Sequence, residues 1–167
     1  MTITKQSGIY TLTSEQILPI SLEKAWKFFT NPNNLDRITP KEMQFKITNN
    51  PPEKTYLGQI ITYKIGILPL VKTNWITEIT HFQNPEENPD RRGFFVDEQR
   101  FGPYKMWHHE HHFSPTADGK VMMTDIVNFK LPFGFLGDFF AGPFVKNKVK
   151  SIFESRFKIL DEICTQL

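Results

Sequence analysis

The sequence predicts an α+β fold in which an antiparallel sheet packs against one long C-terminal helix. Segments that alternate apolar and polar residues follow one another closely from residue 43 to residue 131, and this period of two is typical of strands. The last segment of the chain instead repeats apolar residues at helical spacing over several turns. The helical segments flank the strand region, and such segregation of helices from strands favours an α+β architecture.

Size and composition are those of a globular domain. The 167 residues are 39% hydrophobic and 14% aromatic, with 16 Phe, which is sufficient for a sizeable core. The net charge is +2 with both signs interspersed, so the chain as a whole has no general attraction to nucleic acid or anionic membranes. We expect a single domain over residues 1–167 and no nucleic-acid partner.

The termini and the cysteine content bear on location. The first residues, MTITKQSGIYTL, contain no apolar run, and no window approaches 18 uncharged apolar residues, so neither a signal peptide nor a transmembrane helix is predicted. The single cysteine, Cys164, excludes an internal disulfide and is consistent with a reducing compartment. A cytoplasmic protein is expected.

The N-terminal part predicts one strand and then two short helices. Residues 8–18 are rich in β-branched and aromatic types, which favours a strand. Ser21 is a suitable N-cap for a helix with apolar residues at helical spacing, and Asn31-Pro32 ends that helix. A second short helix is predicted over residues 31–38, before Thr39-Pro40.

Six strands are predicted next, in a meander. They span residues 43–49, 57–67, 71–82, 93–101, 104–113 and 120–131. Leu68-Pro69, Gly102-Pro103 and residues 115–119 are short enough for tight turns. Residues 83–92, QNPEENPDRR, form an exposed loop in this prediction. We interpret that loop as a solvated insertion, with a cover over a pocket mouth as the alternative.

The C-terminal segment predicts a helix with Pro143 in its first turn, where proline is tolerated. Its apolar stripe comprises Phe144, Val145, Val149, Ile152, Phe153, Phe157, Leu160 and Ile163. A curved sheet around this helix would bury the stripe and leave a cavity between them. Residues 131–144, LPFGFLGDFFAGPF, combine glycines with large apolar side chains and admit three roles: a hinge packed on the core, a pocket entrance, or a docking surface.

The order of elements, together with FVDEQRFGPYKMWHHEHHF, SLEKAWKFFTNPNNL, WITEITHF and MTDIVNFKLP, resembles the helix-grip superfamily. This superfamily, also called SRPBCC or START-like, includes birch-pollen-allergen-like proteins, lipid-transfer domains and polyketide cyclases. More narrowly, the chain resembles a bacterial branch of ligand-binding SRPBCC proteins, over about residues 9–163. The resemblance implies a hydrophobic pocket between sheet and C-terminal helix. It implies no particular reaction and no catalytic residues, because fold does not fix function.

The stretch YKMWHHEHHF at residues 104–113 contains four of the five histidines. Because side chains alternate faces along a strand, these histidines separate into two pairs that point in opposite directions. One face carries Trp107, His109, His111 and Phe113, and the other carries Met106, His108, Glu110 and His112.

Two assumed turns place the neighbouring strands. A two-residue turn at Gly102-Pro103 sets Glu98 and Arg100 on the face of His109. A five-residue turn at residues 115–119 sets Asp125 near His109 on the same face. That face is the more apolar of the two, so it is assigned to the interior and the other to solvent.

Five ionisable side chains on an interior face require partners, because burying an unpaired charge is costly. One interpretation is an internal network, in which Glu98 pairs with Arg100 and Asp125 accepts a hydrogen bond from His109. A second is that these groups line a ligand pocket. A third is a metal site, in which His109 and His111 join Asp125 or Glu98. A fourth is proton transfer by a His109–Asp125 pair.

The sequence therefore predicts a protein that binds a small hydrophobic or amphipathic molecule under the C-terminal helix, without a resident metal or cofactor. The expected apolar contacts are Trp107, Phe113, Phe129, Phe135, Phe153 and Phe157, and the expected polar contacts are Glu98, Arg100, His109, His111 and Asp125. The alternative is an enzyme of the cyclase, aromatase or dehydratase type that uses His109 and Asp125 as an acid–base pair.

Overall fold

The computed structural model describes residues 1–68 and 71–167, with the backbone alone at residues 67, 68 and 71. Pro69, in the predicted Leu68-Pro69 turn, lies outside the described residues. The elements in chain order are β1 (Thr2–Gln6), β2 (Ile9–Leu18), α1 (Leu22–Phe29), β3 (Lys46–Ile47), β4 (Ile60–Leu68), β5 (Val71–Gln83), β6 (Gly93–Phe101), β7 (Met106–Pro115), β8 (Val121–Lys130) and α2 (Gly134–Cys164).

The strands form one antiparallel sheet in the order β1-β2-β8-β7-β6-β5-β4-β3. Strands β3 to β8 follow as a meander, and β2 returns to pair with β8 over residues 10–18. The predicted α+β architecture, an antiparallel sheet with a long C-terminal helix, is confirmed. None of the helices in the described ranges is both long enough and apolar enough to span a membrane.

The sequence pattern does not predict β1. This strand pairs with β2 across a turn at Ser7 and Gly8, both of which have positive φ, as a type I′ hairpin requires. Most of its side chains are exposed, so β1 lacks the alternation of apolar and polar residues that identifies a half-buried strand.

The first predicted helix is present, and the second is not. Ser21 caps α1 by accepting a hydrogen bond from the backbone N–H of Lys24. The helix predicted over residues 31–38 is reduced to a 3₁₀ turn at Pro32–Asn34, and another follows at Lys41–Met43. The Thr39 hydroxyl donates to the Leu35 carbonyl at 2.6 Å, so side-chain hydrogen bonds replace the helical ones there.

The connection between β6 and β7 differs from the predicted two-residue turn. Asp97 pairs with His109, and Glu98 pairs with His108, which is a shift of one residue. The Gln99 side chain closes this connection by accepting from the Tyr104 N–H at 3.2 Å and donating to the Tyr104 carbonyl at 2.6 Å. A shift of one residue moves every β6 side chain to the opposite face.

The connection between β7 and β8 also differs, with a different consequence. His111 pairs with Asp125, and Phe113 pairs with Met123, which is two residues from the predicted register. Because the side-chain period of a strand is two, this shift preserves the faces. Asp125 therefore still points to the same side as His109.

Helix α2 begins at Gly134, so Pro143 lies in its interior. The prediction that Pro143 lies in the first turn is wrong. The buried residues Val149, Phe153, Leu160 and Ile163 belong to the predicted apolar stripe. Of the three roles considered for residues 131–144, a hinge packed on the core is not observed, because their large apolar side chains are mostly exposed. The exposed side chains are Phe133, Phe135, Leu136, Phe139, Phe140 and Phe144.

Candidate functional site

A cavity of about 210 Å³ lies between the sheet and α2. Its apolar lining includes Met43, Phe45, Ile61, Ile65, Trp75, Ile79, Trp107, Val149, Ile152 and Phe153. Its charged or titratable lining includes Asp97, His109, His111, Lys148 and Arg156. A mostly apolar cavity with a few polar groups is the usual form of a small-molecule site.

Two histidines of β7 and one aspartate of β6 form the titratable wall of this cavity. His109 and His111 share the inward face, with ring centroids 3.7 Å apart. Asp97 accepts a hydrogen bond from His111 Nε2 at 2.8 Å. The same Asp97 oxygen, Oδ2, lies 3.6 Å from His109 Nδ1. A single carboxylate oxygen therefore contacts both imidazoles.

Asp125 on β8 lies next to the other two ring nitrogens, His109 Nε2 and His111 Nδ1. Its Oδ1 accepts a hydrogen bond from His109 Nε2 at 3.0 Å, which is the predicted His109–Asp125 contact. The same oxygen lies 3.1 Å from His111 Nδ1, close but outside hydrogen-bond geometry. Because both histidines and Asp125 are buried, each imidazole lies between two carboxylates with little access to bulk water.

The contacts shift the pKa values of this group in opposite directions. Burial raises the pKa of Asp97 and of Asp125. The contacts of Asp97 with His111, His109 and Thr77, and those of Asp125 with Arg156, His109 and His111, together outweigh burial, so both pKa values lie below their usual value. Burial lowers the pKa of His109, and the charge of His111 lowers it further. Burial also lowers the pKa of His111, but Asp125 and Asp97 outweigh it and the net shift is upward. His111 therefore keeps its proton to a higher pH than His109 does.

Arg156 of α2 adds a cation to this wall. Its Nη2 lies 3.8 Å from Asp125 Oδ1, and its guanidinium lies over the Phe153 ring at 5.7 Å. Nε and Nη2 are buried without a hydrogen-bond partner in the described part of the chain. The two carboxylates, Arg156 and one protonated imidazole sum to zero charge, which is what a buried cluster requires.

The residues predicted to contact a ligand fall into three groups. Trp107, His109, His111 and Phe153 line the cavity. Asp125 lies behind the two histidines. Phe113, Phe129 and Phe157 are not part of the lining: Phe113 packs against Phe29 and Phe129 stacks on Tyr10, each with ring centroids 5.1 Å apart.

Glu98, Arg100 and Phe135 were also predicted to contact a ligand, and they too lie outside the cavity lining. Arg100 pairs with Glu98 at 3.1 Å, as expected, and also with Glu78 at 2.6 Å, but the Arg100 side chain is 46% exposed and lies on the outward face. The one-residue shift between β6 and β7 is the cause, because it exchanges Glu98 for Asp97 on the inward face. Phe135 is 79% exposed on α2 and does not line the cavity.

Asp97, Arg156 and Trp75 are site residues that the sequence analysis missed or assigned elsewhere. Arg156 lies three residues after Phe153 and four before Leu160, so helical spacing alone places it on the buried stripe. Asp97 could be placed at the site only with the correct register between β6 and β7. Trp75 lines the cavity and packs edge-on against Trp107, with ring centroids 5.3 Å apart.

The loop at residues 83–92 lies away from this cavity. Pro85 is buried in a 3₁₀ turn at Pro85–Glu87, and Arg91 forms an ion pair with Glu23 of α1 at 3.0 Å. No residue of the loop lines the cavity described above. The loop therefore packs on the α1 side and does not cover the cavity.

Comparisons with known proteins place the fold. No family model matches the sequence, and no curated protein matches it. Among solved structures, Ara h 8.0201 is similar with a TM-score of 0.58 and 16% identity, over 96% of this chain and 100% of that one. Protein Ms6760 from Mycobacterium smegmatis has a TM-score of 0.63 and 13% identity, over 98% of this chain and 95% of that one.

A norcoclaurine synthase from Thalictrum flavum, solved as a point mutant with a transition-state analogue, is also similar. Its TM-score is 0.60 at 11% identity, over 97% of this chain and 98% of that one. At such low identities the likeness establishes the fold and not the function. The chain has the helix-grip fold, in which the C-terminal helix packs against one antiparallel sheet.

Proposed function

We propose that this protein binds one small, largely apolar molecule that carries an anionic or hydrogen-bonding group. The observation that carries this proposal is the distribution of the cavity lining, which is mostly apolar and has its histidines, aspartate and arginine on one wall. Such a lining favours a ligand with an apolar body and one polar end.

The size of the cavity limits the ligand. A cavity of about 150 Å³ accommodates benzene, and the volume here is about 210 Å³. A one- or two-ring aromatic molecule is therefore a suitable probe. Trp75 and Trp107, both in the lining, offer flat apolar surfaces for such a ring.

The polar end of the ligand is expected to meet Arg156. A guanidinium is always charged and matches the two oxygens of a carboxylate. Arg156 lines the cavity, and its Nε and Nη2 atoms have no hydrogen-bond partner in the described ranges and are closed off from solvent. A small rotation of the side chain would bring them to an anionic ligand group, which would supply the missing acceptors.

The test is a fluorescence titration with 2-naphthoate, with naphthalene as the neutral comparison. We expect saturable one-to-one binding that the cavity-filling substitution Ile152→Trp weakens at least tenfold. Ser151→Trp, at the exposed neighbouring position of α2, is the matched control and leaves the affinity unchanged. Arg156→Gln reduces binding of naphthoate by about tenfold, the value of one hydrogen bond to a charged group, and does not affect naphthalene. Equal binding by wild type and Ile152→Trp would exclude this cavity as the site.

A second candidate function is acid–base catalysis on the bound molecule. The His109 Nε2 to Asp125 Oδ1 hydrogen bond of 3.0 Å fixes the hydrogen on Nε2 and leaves Nδ1 as an acceptor, the form of a general base. The norcoclaurine synthase of the same fold shows that helix-grip proteins include enzymes. Once a ligand is identified, His109→Gln separates the two functions: loss of turnover with intact binding supports catalysis, and unchanged turnover removes it.

The predicted cytoplasmic location stays a prediction.

A further inference from the structure

The wall of the cavity contains three donors that suit a metal ion. Asp97, His109 and His111 each present one ligand atom, and these atoms lie within 4.8 Å of one another. Asp97 Oδ2 is 2.8 Å from His111 Nε2 and 3.6 Å from His109 Nδ1. Donors bound to Zn²⁺ at about 2.0–2.2 Å are roughly 2.9–3.5 Å apart. The two Asp97 separations are close to this range, and the His109 and His111 ligand atoms, which lie within 4.8 Å of each other, would move closer together on binding one small cation.

Asp125 orients His109 from behind and lies beside His111. Its Oδ1 accepts a hydrogen bond from His109 Nε2 at 3.0 Å and lies 3.1 Å from His111 Nδ1, outside hydrogen-bond geometry. With the hydrogen on Nε2, the His109 Nδ1 that faces Asp97 keeps a free lone pair. Metal-binding histidines usually donate their other N–H to a carboxylate in this way. His111 becomes a ligand when a metal ion replaces the hydrogen that its Nε2 shares with Asp97.

The charge of the cluster also favours a cation. With both imidazoles neutral, Asp97, Asp125 and Arg156 sum to one negative charge. A buried net charge requires compensation. A proton on the imidazole pair cancels this charge, whereas a divalent metal ion changes it to one positive charge, which an anion bound to the metal would cancel.

We propose that Asp97, His109 and His111 bind a divalent metal ion of the Zn²⁺ and Co²⁺ class, with Asp125 as a positioning residue. Two imidazoles and one carboxylate suit such ions better than Mg²⁺ or Ca²⁺, which prefer oxygen ligands. The sequence analysis expected no metal and considered His109 and His111 with Asp125 or Glu98. The observed register provides Asp97 instead. This inference does not depend on the organic ligand proposed above.

The test uses metals alone. Chelator-treated protein is titrated with Co²⁺, whose visible absorption reports the ligands, and with Zn²⁺ by calorimetry. We expect one equivalent to bind, Asp97→Asn to weaken binding at least a hundredfold, and Asp125→Asn to weaken it about 10–100-fold. The control is the double substitution H108A/H112A, which removes the outward histidines that contact Glu110 and leaves one equivalent bound.

Two results overturn the metal site. One is the absence of binding at stoichiometric concentration. The other is binding that H108A/H112A abolishes and Asp97→Asn does not, which assigns the metal to the outward histidines. Paramagnetic broadening by Co²⁺ in the wild type provides a check that needs no variant. The His109 and His111 ring signals broaden first if the inner site is occupied, whereas those of His108 and His112 broaden first if it is not.

A different observation, at the start of α2, supports a second inference. Six large apolar side chains within residues 133–144, which we call the aromatic patch, have exposed fractions from 55% to 85%. Phe139 packs against Phe135 and Phe140, with ring centroids 6.1 and 5.2 Å apart. Exposed apolar patches of this kind mark interaction surfaces.

The face of α2 that carries the patch becomes basic in the following turns. Phe135 and Phe139 are four residues apart, and Lys146 and Lys150 continue along nearly the same line of the helix. Both lysines are exposed, and Lys150 also lies 3.6 Å from Glu154, one turn further along α2. Asp138, the single acidic residue between positions 133 and 150, is paired with Lys5 at 3.2 Å. This half of the helix therefore presents aromatic and then cationic groups.

We propose that this surface docks on an anionic lipid membrane. The aromatic side chains would enter the interface, and Lys146 and Lys150 would lie at the negatively charged headgroups. A second copy of the chain is disfavoured as the occupant, because a symmetric contact would bring the same lysines from both copies together. The near-neutral total charge of the chain does not reveal this local excess of lysines on α2.

The test is flotation with vesicles of phosphatidylcholine alone or with about 30% phosphatidylglycerol. We expect binding to the anionic vesicles, and at least tenfold weaker binding for F139S/F140S and for K146Q/K150Q. Leu57→Ser is the control, because Leu57 is 62% exposed in the segment before β4, and it binds like the wild type. The absence of binding to anionic vesicles overturns the inference. A dimer that F139S/F140S dissociates, without vesicle binding, assigns the patch to a second copy instead.

Discussion

His109 and Asp125 form a buried hydrogen bond of 3.0 Å between adjacent strands β7 and β8. The contact is diagonal, because the residue directly opposite Asp125 is His111. Diagonal neighbours in a sheet are within reach of long side chains. One carboxylate thus contacts both inward histidines, and this arrangement is the basis of the stability predictions below.

Removal of the Asp125 carboxylate should destabilise the protein strongly. Asp125→Ala leaves Arg156 and the imidazoles without their shared acceptor in a buried site, and breaking a buried ion pair costs about 3–5 kcal/mol. Urea denaturation measures the loss. Glu98→Ala, on the half-exposed outward face, is the control and should cost about 0–1 kcal/mol. Equal costs for the two substitutions would show that the inner cluster is hydrated.

The stability of the metal-free protein should pass through a maximum near the usual histidine pKa of about 6.5. Burial lowers the pKa of His111, but Asp125 and Asp97 raise it more. Its stabilising contribution is therefore complete below about pH 6.5 and is lost as the pH rises through the raised folded pKa. Burial lowers the pKa of His109, so its contribution is complete above about pH 6.5 and is lost as the pH falls through the lowered folded pKa.

The measurement for this pH prediction is the free energy of unfolding between about pH 5 and pH 9, with a chelator present. His111→Gln should flatten the alkaline limb, and His109→Gln should flatten the acidic limb. His81→Gln, at an exposed position, should leave both limbs in place. The lowered pKa values of Asp97 and Asp125 add a further loss that begins only below about pH 4. A profile without the alkaline limb would contradict the raised pKa of His111.

Two phenylalanines of α2 should differ greatly in their effect on stability. Phe153 is buried against the sheet, so Phe153→Ala should cost about 3–5 kcal/mol. Phe139 is exposed in the aromatic patch, so Phe139→Ala should change stability by no more than about 0.5 kcal/mol. Thermal or urea denaturation checks both. A large loss of stability for Phe139→Ala would show that residues 131–144 pack in the core.

The turn between β6 and β7 should depend on one side chain. Gln99 makes two hydrogen bonds to the Tyr104 backbone, so Gln99→Ala should cost about 1–2 kcal/mol and accelerate hydrogen exchange of the Tyr104 amide. Lys105→Ala, at an exposed position of the same connection, should leave that exchange unchanged. If Gln99→Ala leaves the Tyr104 amide equally protected, the side chain does not hold the register.

The wrongly predicted registers of β6 with β7 and of β7 with β8 show which features the alternation of side chains within one strand does not determine. Alternation along residues 104–113 correctly separates His109 and His111 from His108 and His112, because it depends only on the geometry of one strand. The choice between Asp97 and Glu98 depends instead on the length of the next turn. Two hydrogen bonds from the Gln99 side chain to the Tyr104 backbone set that length, and the sequence contains no turn motif that predicts them.

The exposure of residues 133–144 was equally inaccessible to pattern analysis. Large apolar side chains are normally assigned to a core, and Pro143 argued against a helix through this segment. Exposure depends on whether another part of the fold covers a surface, and the sheet contacts only the opposite face of this part of α2, at Asp138 and Gly142.

Element order, the long terminal helix and the inward pair His109 and His111 follow from periodicity in the chain itself, since helices and strands have fixed repeats. The partners of that pair do not follow in the same way. Asp97, Asp125 and Arg156 come from two other strands and a helix, and only packing of these elements brings their charges within 4 Å of the imidazoles or of each other. Distance between elements is a property of the folded chain, and the chemistry of this site depends on it.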